Sequence, residues 1–244
     1  VSVELYFGPL DTRGLITTPL AYVQSVAAQA LRNGFQYNVH AIGDRANREV
    51  LDQYQAAFEA AFKADPEAAR DARFRIEHAQ HVDPADQGRF ARLGIIAVMQ
   101  GIHFSSDITW AIDRLGEKRI TEDAYLWRNL LKSGAHLANS TDVPVEPCDP
   151  IANFYASVTR KTLAGRTFAW SHPEQAMTRE EALRSYTIEG AYAAFEEAEK
   201  GSIEVGKLAD LTILSQDLMT VPEAQLLKTK VRYTIVAGKV VYSK

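Results

Sequence analysis

The sequence contains very little cysteine: Cys148 is the only thiol in 244 residues. One cysteine excludes an intrachain disulfide framework and a zinc site built from several cysteines. This scarcity is also typical of proteins from a reducing compartment, so we expect a cytoplasmic protein.

Long apolar runs and an excess of positive charge are also missing. No apolar segment approaches the about 20 residues that cross a bilayer as a helix, so we expect no membrane contact. Lys and Arg number 27 against 31 Asp and Glu, for a net charge of -4. This balance excludes the basic surface typical of nucleic-acid-binding proteins. Nucleophile-elbow, phosphate-loop and dinucleotide-binding motifs are absent as well.

The first residues carry no recognisable leader. The chain begins at Val1 rather than Met, and Glu4 is the only charge among its first ten residues. This segment lacks the basic start and long apolar core of a secretion signal. We expect it to lie inside a longer protein, of which this chain is the C-terminal part.

Short apolar segments alternate with helical patterns as far as Asp142. The predicted strands are residues 1–7, 35–40, 72–79, 95–100 and 135–141, and the predicted helices are residues 18–33, 44–63, 83–94 and 122–133. The alternation predicts an α/β fold in which parallel strands are joined by right-handed crossovers. The spacing of the strands suits the unit of about 31 residues in a (β/α) barrel.

The number of predicted strands is too small for a closed barrel. Five strands can be placed, whereas a (β/α) barrel needs eight. An open half-barrel would expose apolar edges. Two interpretations are open: a five-stranded open sheet, or an incomplete barrel completed by residues that precede this chain. The missing Met favours the second.

The pattern changes after Asp142. Helical spacing covers residues 150–160 and 178–198, and residues 206–215 and 231–243 are rich in Thr, Ile, Val and Tyr. Such composition is typical of β-strands, and residues 237–239 lie where a hairpin turn is expected.

Three side chains at predicted strand ends could bind a metal: His40, His78 and Asp142. Each by itself is more often a loop histidine or a helix cap. Active sites of parallel α/β folds lie at the carboxyl edge of the strands, where all three are expected. Two imidazoles and a carboxylate suit zinc or a related divalent metal. Gln100 and His103 follow the next strand and are candidates for substrate contact.

Other polar residues are expected to have structural roles. The strand period places Glu77 on the face opposite His78. His81 is expected to be a solvated loop residue, with a supporting contact behind the metal ligands as the alternative. His136 is expected to lie at the start of its strand, away from the site. Cys148 is expected to be inert.

Several segments in the same order resemble the amidohydrolase superfamily, and more narrowly its branch containing the N-substituted formamide deformylases. The similar segments are NVHAIGDRANREVLDQY, RFRIEHAQHVDPADQGRFARLGIIAVMQGIHF, NSTDVPVEPCDPI, WSHPEQAMTREEALRSYTIEGAYAAF and GSIEVGKLADLTIL with TIVAGKVVY. The resemblance covers nearly the whole chain from about residue 13 onward and corresponds to the C-terminal part of such an enzyme.

The resemblance implies a distorted (β/α) metal-dependent hydrolase barrel with its metal at the mouth. His40 and His78 would be ligands after the fifth and sixth strands, and Asp142 would bind metal and transfer a proton after the eighth. Gln100 and His103 would face the substrate. Residues 1–200 would then be the C-terminal part of the catalytic barrel, and residues 201–244 would be strands of a small β-sandwich accessory domain.

The sequence departs from the family pattern at three points. The His-x-His pair of the first barrel strand is missing, and residues 1–7 contain no counterpart of the lysine that bridges two metals. Thr141 replaces the usual serine before Asp142. The implied metal site is therefore incomplete in this chain.

The resemblance implies hydrolysis of a non-peptide C–N bond in an amide, formamide or cyclic imide. The implied cofactor is a divalent metal, zinc first and iron or manganese as alternatives. The implied partners are a small-molecule substrate and either a second copy of the chain or the N-terminal part of the same enzyme. Two alternatives stay open: deamination of a heterocycle, and a truncated barrel that only binds a partner.

Overall fold

The computed structural model describes residues 15–63 and 71–244, so the predicted strand at residues 1–7 lies outside it. Its helices are α1 (Leu20–Asn33), α2 (Asp44–Ala61), α3 (Pro84–Leu93), α4 (Gly101–Asp107), α5 (Ala111–Glu122), α6 (Trp127–Lys132), α7 (Pro150–Thr159), α8 (Arg179–Tyr186) and α9 (Ile188–Ala193). Its strands are β1 (Asn38–Ala41), β2 (Arg75–His78), β3 (Ile96–Met99), β4 (Leu137–Asn139), β5 (Leu211–Leu214), β6 (Val231–Val236) and β7 (Lys239–Ser243). Short 3-10 helices cover Pro173–Gln175 and Glu223–Lys228.

Strands β1 to β4 form a parallel sheet with the strand order β1-β2-β3-β4. Val39 of β1 lies opposite Ile76 of β2, and Ile76 lies opposite Ala97 of β3. All three side chains are buried. The Ala97 amide donates to the His136 carbonyl just before β4. The alternation of strands and helices therefore predicts the α/β class and the parallel pairing correctly.

Helices α1, α2 and α3 follow from clear sequence signals. Asp83 caps α3 by accepting a hydrogen bond from the Ala85 amide at 2.9 Å, and Gly94 ends the helix with φ of 66°. The predicted range 83–94 is thus confirmed, since an Asp cap followed by Pro starts a helix and a left-handed Gly ends it. The apolar face of α2 packs Tyr54 and Phe58 against Phe74.

The segment between β3 and β4 differs from its prediction. The helix expected over residues 122–133 is replaced by α6, which begins only at Trp127, and by α5, which ends at Glu122. Helices α4 and α5 were not predicted. Gly116 interrupts α5 with φ of 74°, and the charged residues around it show no apolar period that would reveal a helix.

Strands β5 to β7 form an antiparallel sheet in the order β5-β6-β7. The predicted hairpin joins β6 to β7, with Ala237 at φ of 49° and Gly238 at φ of 77° in its turn. Left-handed backbone at both central positions is what a tight hairpin requires. Several apolar side chains of this sheet are exposed, including Ile213, Val240 and Val241.

The chain divides into two compact units. Of the described residues, the first unit contains 15–63, 71–99, 107–137 and 168–175, and the second contains 100–106, 138–167 and 176–244. The boundary that the sequence predicts after residue 200 stays a prediction. Within the part of the chain that the structure describes, every helix is too short or too polar to cross a membrane.

Candidate functional site

The first unit brings together His40, the next-to-last residue of β1, and His78, the last residue of the neighbouring strand β2. Their imidazole rings meet edge to face, with centroids 4.3 Å apart and planes at 71°. His78 is buried and His40 is exposed. Two imidazoles in contact at the carboxyl edge of a parallel sheet are suited to share one ligand, because this edge is where such folds bind them.

The strand register alone would not produce this contact. His40 lies opposite Glu77, and His78 lies opposite Ala41. Register-matched residues share a face, so Glu77 lies on the face that carries His40, where it accepts a hydrogen bond from Arg75 Nε at 2.9 Å. The expectation that Glu77 lies on the face opposite His78 stays a prediction.

The backbone at three positions of the candidate site is left-handed. The φ angles are 78° at His78, 43° at Ala79 and 54° at Asp142. Such angles cost a residue with a Cβ on the order of 1 kcal/mol or more, and they persist only where surrounding contacts enforce them. Residues of this kind concentrate at active sites. Two of the three predicted metal ligands belong to this class.

The second unit contains the other candidate residues. Asp142 lies in the loop after β4, and its Oδ2 is 4.0 Å from Nε2 of His103 on α4. Gln100 directly follows β3 and donates from Nε2 to Ser140 Oγ at 2.9 Å. His103 and Gln100 are buried, whereas Asp142 is partly exposed. The structure thus places Gln100, His103 and Asp142 around the end of β4.

A buried set of polar residues fixes the start of α4 against β4 and α7. The Gly101 amide donates to Asn139 Oδ1 at 3.1 Å, and the Ile102 amide donates to Asn153 Oδ1 at 2.7 Å. Asn139 in turn donates to Ser157 Oγ at 2.9 Å. Sequence reasoning missed these residues. The available signal was polar Asn153 and Ser157 within an otherwise apolar helix, since buried amides require partners.

His81 has a role different from the one predicted. It is only 1% exposed, so the prediction of a solvated loop residue is wrong. Burial and the positive charge of Arg119 lower the pKa of His81 to about 3, which keeps its ring neutral. Gln80 beside it donates to Asp107 Oδ2 at 3.2 Å and to the Tyr125 hydroxyl. These contacts hold the segment that follows His78.

Three further residues that carry a titratable side chain have the following surroundings. His136 is exposed and directly precedes β4, and Cys148 is an exposed free thiol. His172 lies 2.8 Å from Glu174 Oε1 through Nδ1 and 3.1 Å from Thr121 Oγ1 through Nε2.

The donor set at His40 and His78 fits a divalent metal. Imidazole nitrogens suit zinc, copper, iron and nickel. Among residues 15–63 and 71–244, no group of three or more His, Cys, Asp or Glu side chains is arranged to hold a metal ion. His40, His78 and Asp142 as metal ligands, and Gln100 and His103 as substrate contacts, stay predictions.

Comparison with known proteins identifies the family. The chain is 36% identical over 215 residues to Protein LONG AFTER FAR-RED 3 of Arabidopsis thaliana, covering 87% of this chain and 35% of that protein. It is 30% identical over 223 residues to N-substituted formamide deformylase of Arthrobacter pascens, covering 91% and 39%. It also matches the crystal structure of an uncharacterized metal-dependent hydrolase from Pyrococcus horikoshii OT3, with a TM-score of 0.74, 28% identity, and coverage of 88% and 41%.

These matches confirm the resemblance to the branch that includes the formamide deformylase. The chain spans about two fifths of the length of these relatives or less. A model of the amidohydrolase family matches residues 3–242, so the chain belongs to the amidohydrolase family.

Proposed function

We propose that this chain is part of a metal-dependent hydrolase that cleaves non-peptide C–N bonds, in an amide, a formamide or a cyclic imide. The contact between His40 and His78 at the carboxyl edge of the sheet carries the proposal. Left-handed backbone at His78 and Asp142 supports it, because strain of this kind is retained mainly at functional sites. Membership of the amidohydrolase family agrees with this reaction class.

His40, His78 and Asp142 would hold the metal, zinc first and iron or manganese as alternatives. When bound, such a metal lowers the pKa of a water from about 15.7 toward about 7 and polarises a carbonyl group. The carboxylate of Asp142 would accept the proton of the attacking water and return it to the departing nitrogen. Gln100 and His103 would contact the substrate, since both are held beside the loop that carries Asp142.

The remaining part of the site would come from outside this chain. The sheet β1–β4 would belong to a distorted (β/α) barrel, and β5–β7 to a small β-sandwich. The N-terminal part of the same enzyme would supply further strands and ligands, and a second copy of the chain is the alternative source. The substrate would be a small molecule bound in the barrel mouth.

The test compares metal content and turnover of this chain and of the longer protein. We expect near-stoichiometric metal in the longer protein, little in the chain alone, and loss of activity on chelation.

Asp142→Asn should abolish turnover while retaining much of the metal, and the control Glu146→Gln removes another carboxylate from the same loop. Full turnover by Asp142→Asn would contradict the assigned role, and absence of metal from both proteins would favour a non-catalytic binding module. Release of ammonia from a heterocycle would identify the alternative deaminase reaction.

A further inference from the structure

Asn47 is a buried polar residue in the first turn of α2. It is 0% exposed. Its side-chain nitrogen Nδ2 lies 3.2 Å from the Ala41 carbonyl, 3.2 Å from that of Ile42 and 2.9 Å from that of Gly43. Asn is a poor helix former, and an amide is costly to bury without partners. These contacts account for an amide at a position where an apolar residue would otherwise be favoured.

A fourth contact of Asn47 is of a different kind. Nδ2 also lies 3.0 Å from the carbonyl of His81, which is 34 positions further along the chain. One amide group therefore bonds to two segments. The first, residues 41–43, contains the last residue of β1 and the two residues after it, and the second, residues 79–81, follows β2. The His81 amide adds a backbone hydrogen bond to the Ile42 carbonyl at 2.9 Å. Two independent links thus join these segments.

The orientation of the Asn47 amide is set by its surroundings. Four carbonyl oxygens face Nδ2, whereas Oδ1 is buried without a hydrogen-bond partner. A flipped amide would place its oxygen against those carbonyls, which all accept hydrogen bonds and cannot donate. The side chain is consequently used for its donor group alone, and neither Asp nor an apolar residue could replace it.

Each of the joined segments is continuous with a candidate ligand. His40 directly precedes residues 41–43, and His78 directly precedes residues 79–81. The backbone is left-handed at His78 and Ala79, and such a conformation needs tertiary contacts to hold it. The bond from Asn47 to the His81 carbonyl is a contact of this kind.

We infer that Asn47 is a positioning residue that holds the imidazoles of His40 and His78 at the separation needed to share one metal ion. This inference rests on the proposed function for the assignment of the ligands. Asn47 does not touch the metal: it acts through the two segments that carry the histidines. Residues that orient metal ligands in this way typically affect metal affinity by about 10–100-fold.

The test uses Asn47→Ser in the 244-residue chain. A serine hydroxyl can still bond to the carbonyl four residues earlier in a helix, here that of Gly43, but it is too short to reach the His81 carbonyl. The control is Asn129→Ser, which removes hydrogen bonds to Gln87 at 3.2 Å and from Gln175 at 2.9 Å in the same unit. Neither of those partners lies in the two segments.

Two readouts decide the inference. Titration with Zn²⁺ alone, followed by the NMR signals of the His40 and His78 rings, should show affinity about 10–100-fold weaker in Asn47→Ser and within twofold of wild type in Asn129→Ser. Without metal, the nuclear Overhauser contact between the two rings should be lost in Asn47→Ser only. Unchanged affinity and an unchanged ring contact in Asn47→Ser would overturn the inference.

Failure of the proposed function has a separate signature. If Zn²⁺ shifts neither ring in the wild-type chain nor in the longer protein, the ligand assignment is wrong, and the metal-free ring contact alone decides the role of Asn47. If Asn47→Ser does not fold, the variant is replaced by a measurement on the wild-type chain: the hydrogen exchange rate of the Asn47 side-chain NH₂ group. Strong protection of these protons supports the link, and exchange as fast as that of an exposed amide overturns it.

Discussion

The imidazole rings of His40 and His78 lie 4.3 Å apart, although the register of their strands pairs neither with the other. His78 ends β2 with a φ of 78°, in the left-handed region of backbone conformation. The segment after β2 must enforce this backbone conformation. The left-handed backbone at His78 is a structural argument that the two rings share a ligand.

Removal of either ring should abolish shared metal binding. We expect His40→Ala and His78→Ala each to weaken Zn²⁺ binding by more than the about 10–100-fold seen for residues outside a coordination sphere. Isothermal titration calorimetry on the chain measures this directly. His136→Ala removes an exposed imidazole of the same unit and serves as the control, and equal losses in all three variants would contradict a specific site.

Much of the parallel sheet could be predicted because its signals are local. Asp83 with Pro84 starts α3 and Gly94 ends it, and the strands are short apolar segments between helices. Helix α4 could not be predicted, since Ile102, His103 and Phe104 are all buried. A helix that is buried on several sides has no amphipathic stripe to reveal it.

The candidate site was predictable in position but not in geometry. The sequence predicts strand ends at His40 and His78; in the structure β2 ends at His78, and β1 ends one residue after His40. The left-handed φ of His78 is a feature that no strand period can indicate. Asn47 gave no signal, because its decisive partner, the His81 carbonyl, is a backbone atom far away in the sequence.

A methyl group at Gly101 should disrupt the polar contacts that hold α4 to β4 and α7. A Cβ added there would overlap Ser157 Oγ and lie 2.9 Å from Asn153 Oδ1. Because both atoms are fixed by hydrogen bonds, we expect Gly101→Ala to reduce the free energy of unfolding by about 1–3 kcal/mol. Urea denaturation followed by circular dichroism measures the change.

Gly88→Ala is the matched control for this substitution. Gly88 lies in α3, and a Cβ there would meet no atom within 4 Å. The exchange should stabilise the protein by about 0.5–1 kcal/mol, since Ala favours a helix more than Gly does. Equal effects of the two substitutions would mean that the contacts of Gly101 do not constrain α4.

The buried ring of His81 should make the protein sensitive to acid. Its pKa is about 3 in the folded chain against 6.5 for an ordinary histidine. Between these values the unfolded chain takes up a proton that the folded chain rejects, so the free energy of unfolding falls as the pH is lowered. The loss is at most about 1.4 kcal/mol per pH unit for one group. Urea denaturation at pH 7, 6, 5 and 4 measures it.

Replacement of the titrating ring should flatten this dependence. We expect His81→Gln to lose less stability than wild type between pH 6.5 and 4, even if it is less stable at pH 7. His136→Gln makes the same exchange at an exposed position and should keep the wild-type loss. A His81→Gln profile parallel to wild type would show that another group causes the acid sensitivity.

Asp123 should change the pH dependence of stability in the direction opposite to that of His81. Burial and the neighbouring charge of Asp44 raise its pKa from 3.8 to about 6, although Arg119 lies 3.7 Å away and opposes the shift. As the pH rises from 3.8 to 6, the unfolded chain gives up this proton more readily than the folded chain, so the free energy of unfolding decreases. Above pH 6 this loss is complete and constant.

A neutral side chain at Asp123 should therefore stabilise the protein at neutral pH. We expect Asp123→Asn to raise the free energy of unfolding at pH 7 by about 1–3 kcal/mol, because the folded chain no longer holds a buried charge. The gain should shrink below pH 6 and disappear well below pH 3.8, where the wild-type carboxyl is protonated in both states. Glu117→Gln neutralises an exposed carboxylate of α5 and should change stability by less than about 0.5 kcal/mol. If Asp123→Asn is less stable than wild type at pH 7, attraction by Arg119 outweighs burial and the carboxylate stabilises the fold.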